Sequence, residues 1–445
     1  MGHENEEQLR RKFTDSGFAW IISAMSFFTL YALAANGNTL GVIFPELLHH
    51  FNVPQAMIGL LGSIRTATFD LTAGIFIGHL TKKYGCRALA IPGLILTALG
   101  ILASSYVNDY FWLVVTFSLI PGFGSAGLFI PSNVIVHQYH NKRRALASSL
   151  ASVGLSFATF TFPVFMRLTI QSFGWRAALV MLASIQVQMV AAAMMFMPNP
   201  DLHVKLPLTP MDTKGHTETA EEKSNGANHK PSKVKACNID VSILKNPAYV
   251  LFLFAYPFAS SAASTFANFA IQRGIFQGID EFQASFIMSS FGACSITGRI
   301  AAGFIGNLKC TRRDLLSFGY VFTAGIVCII SIFSGSSLIL HAVFAGCFGF
   351  LNGSYHSLYT TLLVDIVGLS ELPKAMGYIQ LVKCIISAIS FPLAGLLFDV
   401  TQDYVATYLF IGISNIIGGV IFLCSGIANR RRRSKNESVE IKECS

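Results

Sequence analysis

The stretch Phe76-Ile77-Gly78-His79-Leu80-Thr81-Lys82-Lys83-Tyr84-Gly85-Cys86-Arg87 closes one long apolar run and, after a short basic turn, opens another. A hydrocarbon span takes about 20 apolar residues as a helix, and each flanking run is of that order. Working outward, apolar runs cover about 18–46, 56–80, 88–107, 110–136, 146–170 and 174–197, then about 247–272, 282–306, 315–333, 337–367, 375–399 and 404–428. Charged residues make up 12% of the 445, about half the usual share of a soluble chain, which leaves too little polar surface for a water-soluble fold of this size. The alternation of a membrane barrel is absent, so each run is read as a helix that satisfies its own backbone. The fold class expected is an all-α membrane protein, with twelve transmembrane helices in two six-helix bundles.

The domain reading follows. A polar cytosolic tail covers 1–17, the first bundle 18–197, and the second 247–428. Between them 198–246, rich in Lys, Glu, Thr, Pro and Asn without apolar period, is read as a flexible cytosolic linker. A basic cytosolic tail covers 429–445. Most of the 32 Lys and Arg fall in segments that share one side if both termini are cytosolic, among them Arg10-Arg11-Lys12, Lys82-Lys83, Lys142-Arg143-Arg144 and Lys309. The formal charge of +9 is therefore topological, and no nucleic-acid partner is indicated. Arg430 to Arg433 suits an anionic inner leaflet or a plain stop-transfer anchor. Nine cysteines are scattered singly, with no cofactor, metal or disulfide pattern. No nucleophile–base pair or phosphate loop points to an enzyme.

The halves repeat. Phe304-Ile305-Gly306-Asn307-Leu308 matches Phe76-Ile77-Gly78-His79-Leu80, and Lys374-Ala375-Met376-Gly377 matches Arg144-Ala145-Leu146-Ala147, at nearly equal offsets. Parallel six-helix repeats are one transporter design, with the site midway through the membrane between them. Gly122, Gly124, Ser125, Ala126 and Gly127 permit close helix contact, and Pro163 and Pro392 interrupt their helices.

The loop from Gly78 to Arg87 resembles the signature loop of the major facilitator superfamily, with Lys82 where an acidic residue is usual. Asp15-Ser16-Gly17-Phe18-Ala19-Trp20 resembles the Asp-Gly-Gly-Trp-Gly-Trp opening of the monocarboxylate transporter family (solute carrier family 16). Tyr139-His140-Asn141-Lys142-Arg143-Arg144-Ala145-Leu146-Ala147 is similar to that family's Tyr-Phe-x-Lys-Arg-Arg-x-Leu-Ala. Ser390-Phe391-Pro392-Leu393-Ala394-Gly395 resembles its Gly-Pro-Pro-x-x-Gly. The resemblance implies a plasma-membrane carrier of small organic anions, in some members helped by a single-span ancillary glycoprotein.

A charge inside a span costs at least about 2.5–3.5 kcal/mol at mid-helix, so each needs a reason. Arg299 lies roughly 10 Å from the inner end of its helix at ~1.5 Å per residue. Its guanidinium can clamp a carboxylate in two places, the role the resemblance implies; a structural ion pair is the other use. Proton-coupled members of that family carry an Asp at the position of Ser295 and a Lys at that of Asn38. Neither residue here can exchange a proton near neutral pH. The expectation is facilitated diffusion, or coupling through other groups, with proton-linked lactate and pyruvate symport as the alternative if His356 or Asp70 titrates. Asn38-Thr39-Leu40-Gly41 looks closer to the family branch moving aromatic amino acids and iodothyronines. Asn352, His356 and Tyr359 share a helical face, suiting a substrate with hydrogen-bonding groups beyond its carboxylate. His356 is read either as a proton carrier or as a neutral hydrogen-bonded histidine.

Asp70 and Lys383 lie at similar depth in spans two and eleven and are expected to form an ion pair that stabilises one access state. Lys142, Arg143 and Arg144 are expected to pair with acidic helix ends when the inner gate closes. Arg65 and Arg167, nearer the outer ends, can snorkel. A non-transporting receptor or scaffold on the same fold is the competing class.

Overall fold

The computed structural model describes residues 14–53, 55–199, 241–308 and 311–443. The Arg10-Arg11-Lys12 cluster, most of the 198–246 linker and Lys309 lie outside the described residues. Ten described helices are long and apolar enough to cross a membrane. One of them, Arg144–Met194, is two spans in one, broken at Gly174, whose φ of 82° lies in the left-handed region that favours glycine. With Glu281–Gly306 they make twelve.

In chain order these are α1 Gly17–Phe51, α2 Met57–Tyr84, α3 Cys86–Ser104, α4 Tyr110–Tyr139, α5 and α6 on either side of Gly174 in Arg144–Met194, α7 Pro247–Phe276, α8 Glu281–Gly306, α9 Arg313–Ile330, α10 Leu338–Val367, α11 Leu372–Thr401 and α12 Val405–Glu443. Polar residues set where several begin: Asp109, Asn246 and Ser337 accept the amides of Phe111, Ala248 and Leu340. Between α2 and α3, Gly85 turns the chain at φ 85°. Helix α12 continues past the apolar run as far as Glu443.

The outer surface presents large apolar side chains such as Leu99, Val164, Ile385 and Ile389. Such a belt is costly in water and matched in lipid. Inside, packing repeats the sequence duplication. α1 lies against α5 as α7 lies against α11, and α3 against α6 as α9 against α12. The halves meet along two related seams, α2 with α11 and α5 with α8. One apolar cluster, including Ile22, Tyr139, Tyr355 and Met376, joins both halves at the end carrying the chain termini. At the opposite end, each half keeps a cluster of its own, around Phe117 and Phe162 in one and Phe266 and Phe348 in the other. The halves are thus zipped at the terminal face.

Close helix contacts, at the seams and within each half, depend on missing side chains. A Cβ on Gly78 would stand 2.6 Å from the Pro373 carbonyl oxygen across the α2–α11 seam, and one on Gly154 would stand 2.2 Å from the Phe27 carbonyl oxygen in the α1–α5 contact. Gly154→Val is expected to cost about 1–3 kcal/mol by overpacking, seen as earlier thermal unfolding in detergent. Gly319→Ala, with nothing within 4 Å, should not destabilise.

Candidate functional site

Backbone contact positions the central cation. A Cβ on Gly298 would stand 2.1 Å from the Phe350 carbonyl oxygen, and one on Gly353 would stand 2.4 Å from that of Ser295. α8 and α10 therefore touch main chain to main chain, and the Ser354 hydroxyl donates to the Gly298 carbonyl at 3.0 Å. From this base Arg299 reaches across to the first half, where its Nε donates to Ser156 Oγ on α5 at 2.7 Å. Ser156 Oγ lies 2.9 Å from Ser295 Oγ. Among the described residues no carboxylate makes an ion pair with Arg299. The residue is only 6% exposed, and its Nη1 and Nη2 bond to no described residue. Two nitrogens of the fork thus lack a fixed partner at the seam between the halves.

Aromatic residues of α7 and α10 stand beside it. The Tyr256 ring stacks on Tyr359 at 4.0 Å between centroids, and Tyr355 stacks on His356 at 4.4 Å. His356 Nδ1 lies 3.1 Å from the Tyr256 hydroxyl, and Nε2 lies 3.1 Å from that of Tyr355. Two hydroxyls, each able to donate or accept, suit a neutral ring with one donor and one acceptor nitrogen. Tyr256, Tyr355 and His356 all lie within electrostatic reach of the Arg299 guanidinium. Asn352 is buried against Tyr355. Asn38 sits on the other half, its amide donating to Thr159 Oγ1 at 3.2 Å across α1 and α5.

The α2–α11 seam holds a second polar group. Lys383 Nζ lies 3.2 Å from Asp70 Oδ1, and the Gln380 amide donates to the same oxygen at 3.0 Å. Arg65 departs from the snorkelling expectation. It is buried, donating to the carbonyls of Asn36 at 2.6 Å and Gly37 at 2.5 Å, with its guanidinium 5.6 Å from the Phe117 ring. Arg167 is exposed, and pairs with Glu46 at 2.6 Å.

At the terminal face, two motifs distant in sequence form one unit. The Asp15 carboxylate accepts the amides of Asn141 and Lys142 at 3.0 and 3.1 Å, Trp20 packs edge-on against His140 at 5.0 Å, and Phe18 meets Tyr139 at 5.9 Å. Burial pushes His140 below the usual histidine range, although the Ala19 carbonyl bonded to its Nε2 acts the other way. Lys142 thus contributes its main chain. Arg144 Nε donates to the His140 carbonyl at 2.8 Å, within electrostatic reach of Asp365 and Asp15. At this face an ion pair of Lys82 with Glu371 bridges the halves, and Lys374 also approaches Glu371 at 3.6 Å. Lys82 stands where the resembled signature loop usually carries an acid, so sign is exchanged with Glu371, the N-cap of α11. Ser156, Tyr256, Gln380 and Glu371 were not singled out from sequence. Only Glu371, complementary to the inverted charge at Lys82, left a signal there.

Comparisons with known proteins agree with this architecture. A family model described as Major Facilitator Superfamily matches residues 19–276 and 252–442. Monocarboxylate transporter 12 of Xenopus laevis is 24% identical, over 98% of this chain and 95% of its own. Monocarboxylate transporter 7 of Homo sapiens is 26% identical over 88% and 82%. Monocarboxylate transporter 2 of Mus musculus is 26% identical over 96% and 87%. Among solved structures, a variant of the E. coli fucose:proton symporter FucP aligns with a TM-score of 0.66 at 19% identity, covering 92% of this chain and 98% of that one, a likeness of fold.

The Lys82–Glu371 pair is about one-third exposed, so it is worth at most about 1 kcal/mol. Reversing either charge should raise maleimide labelling of a Ser148→Cys reporter, which sits at the Thr360 contact between halves, by about two- to fivefold. Reversing both should return labelling to the starting level.

Proposed function

The chain belongs to the Major Facilitator Superfamily, and from that premise we propose that it carries a small organic anion whose carboxylate is held by Arg299. It is a multi-pass membrane protein and a secondary transporter working by alternating access, similar over nearly its whole length to monocarboxylate transporters. The observation that carries the substrate reading is the Arg299 fork, with one nitrogen bonded to Ser156 and two without a partner among the described residues. An unpaired guanidinium at that depth is costly unless an anion visits it.

The rest of the wall refines the substrate. Tyr256, Tyr355, His356 and Asn352 supply hydroxyl, imidazole and amide groups next to the cation, favouring a solute with polar or aromatic parts beyond its carboxylate. This supports an amino-acid-like or aromatic monocarboxylate over a bare lactate-sized one. Ser295 and Asn38 are engaged by Ser156 and Thr159 and carry no exchangeable charge, so those two positions do not couple transport to protons. Bundles 18–197 and 247–428 rock about the site, with both termini cytosolic in the plasma membrane. The Asp70–Lys383 pair and the Lys82–Glu371 pair hold the terminal-face-closed state, and Arg144 steadies the loop beneath it.

Uptake of lactate, tryptophan, creatine and triiodothyronine into vesicles bearing the full chain tests the reading. At least one probe should accumulate, and Arg299→Ala should cut its uptake by at least about thirtyfold, the weight of a buried charge clamp. Absence of flux for every probe would favour a scaffold. Undiminished flux in Arg299→Ala would remove the proposed site.

A further inference from the structure

Asp70 is fully buried, midway along α2, and its two oxygens are treated differently. Oδ1 receives both Lys383 Nζ and the Gln380 amide. Oδ2 is buried without a hydrogen-bond partner. The Gln380 amide oxygen, on the same side chain that donates to Oδ1, is also buried and unpartnered. Two orphaned acceptors on one bonded pair are an expensive arrangement, because each forgoes water without gaining a donor. A carboxylic acid and a primary amide can close a ring of two hydrogen bonds: the amide N–H donates to one acid oxygen, and the acid O–H donates to the amide oxygen. Here the first bond is present, and a proton on Oδ2 would supply the donor that the amide oxygen lacks.

We propose that Asp70 with Gln380 and Lys383 is a proton-binding site straddling the two halves, which couples their rocking to proton uptake in place of the titratable groups absent at positions 38 and 295. The inference rests on the reading of the chain as an anion carrier, and deepens it. The step is a proton transfer alone. A proton from water on the open side forms an O–H bond at Asp70 Oδ2, which donates to Gln380 Oε1. On the other side that O–H bond breaks, and the proton returns to water. The acid is neutral while protonated, so the Lys383–Asp70 attraction across the α2–α11 seam falls away and the halves part more easily there. One proton travelling with one monocarboxylate moves no net charge.

The groups facing Asp70 fit this role. Lys383 and Cys384 approach from α11, and Tyr256 from α7. Lys383 lies 5.9 Å from the Phe69 ring and within electrostatic reach of His356 on α10, beyond which stands Arg299 on α8. Asp70 is the acid in this cluster. Arg65 on the same helix is engaged by α1 carbonyls. The π-helical turn Ala73–Ile77 follows directly, and its Gly74 packs against Leu381 of α11, so a change at Asp70 acts where the seam is tightest.

Infrared difference spectroscopy on the full chain in liposomes, without any transported solute, reads the site directly. Lowering the pH from about 8 to about 5, both above the ~3.9 of an ordinary aspartate, should bring up a protonated-carboxyl stretching band that is missing in Asp70→Asn. In Gln380→Met, where the acceptor is lost, the band should persist at higher frequency, which keeps the test informative should the Asn variant fold poorly. No such band, a band unchanged in both variants, or a response to sodium in place of pH would each overturn the proposal. Because no solute is present, these outcomes stand apart from any failure of the Arg299 reading, which the uptake panel decides.

Discussion

A guanidinium in the middle of a bilayer must be answered by something. Arg299 is answered on one nitrogen by Ser156 and on the other two by nothing fixed, while three hydroxyl- or imidazole-bearing rings stand within its field. A permanent carboxylate neighbour would make the residue a structural tie. On the proposed reading, its absence among the described residues turns the cost of burial into affinity for a mobile anion, since an isolated charge there is tolerated where counter-charge arrives from water. The α8–α10 backbone contact and the Ser156 bond keep that spot between the halves.

The second demand is that two six-helix bundles touch closely without fusing. Small residues meet it. Gly74, Gly78 and Gly377 bring α2 and α11 to near backbone contact, Gly303 does the same where α8 meets α5, and Gly306 leaves room for the Leu358 side chain of α10. What locks these seams is modest: a partly exposed ion pair at Lys82–Glu371, a buried one at Asp70–Lys383, and hydroxyl pairs such as Ser148 with Thr360. Interactions of this size suit an equilibrium that must reverse. Deep apolar fusion is confined to the terminal face, and the opposite ends of the halves keep separate cores.

Much of this was legible in the residues because lipid enforces it. Twelve apolar runs became twelve spans, including the break near Gly174, since a backbone in hydrocarbon has little alternative to a helix. Arg299, Asp70 and Lys383 were conspicuous as charges in apolar runs, and the similar depths of Asp70 and Lys383 anticipated their contact. Ser156, Tyr256 and Gln380 were not conspicuous. Uncharged polar residues are inexpensive inside a bundle, and their meaning comes from helix rotation and register, which no periodicity reveals. Arg65 was misplaced for a related reason. Counting residues from a helix end estimates depth but not face, and its face turns inward to the carbonyls of Asn36 and Gly37. The Asp15 and Tyr139 motifs carried the family resemblance, but only folding shows them to be halves of one capped loop.

The central claim is that Arg299 recognises a carboxylate. Competition between a transported acid and its own primary amide, which keeps the shape and loses the charge, addresses this most directly. In the wild-type chain the acid should compete at least about tenfold better, as expected for a charge-assisted pair over a neutral one, and in Arg299→Gln that preference should disappear. Equal competition by acid and amide in the wild-type chain would contradict the account.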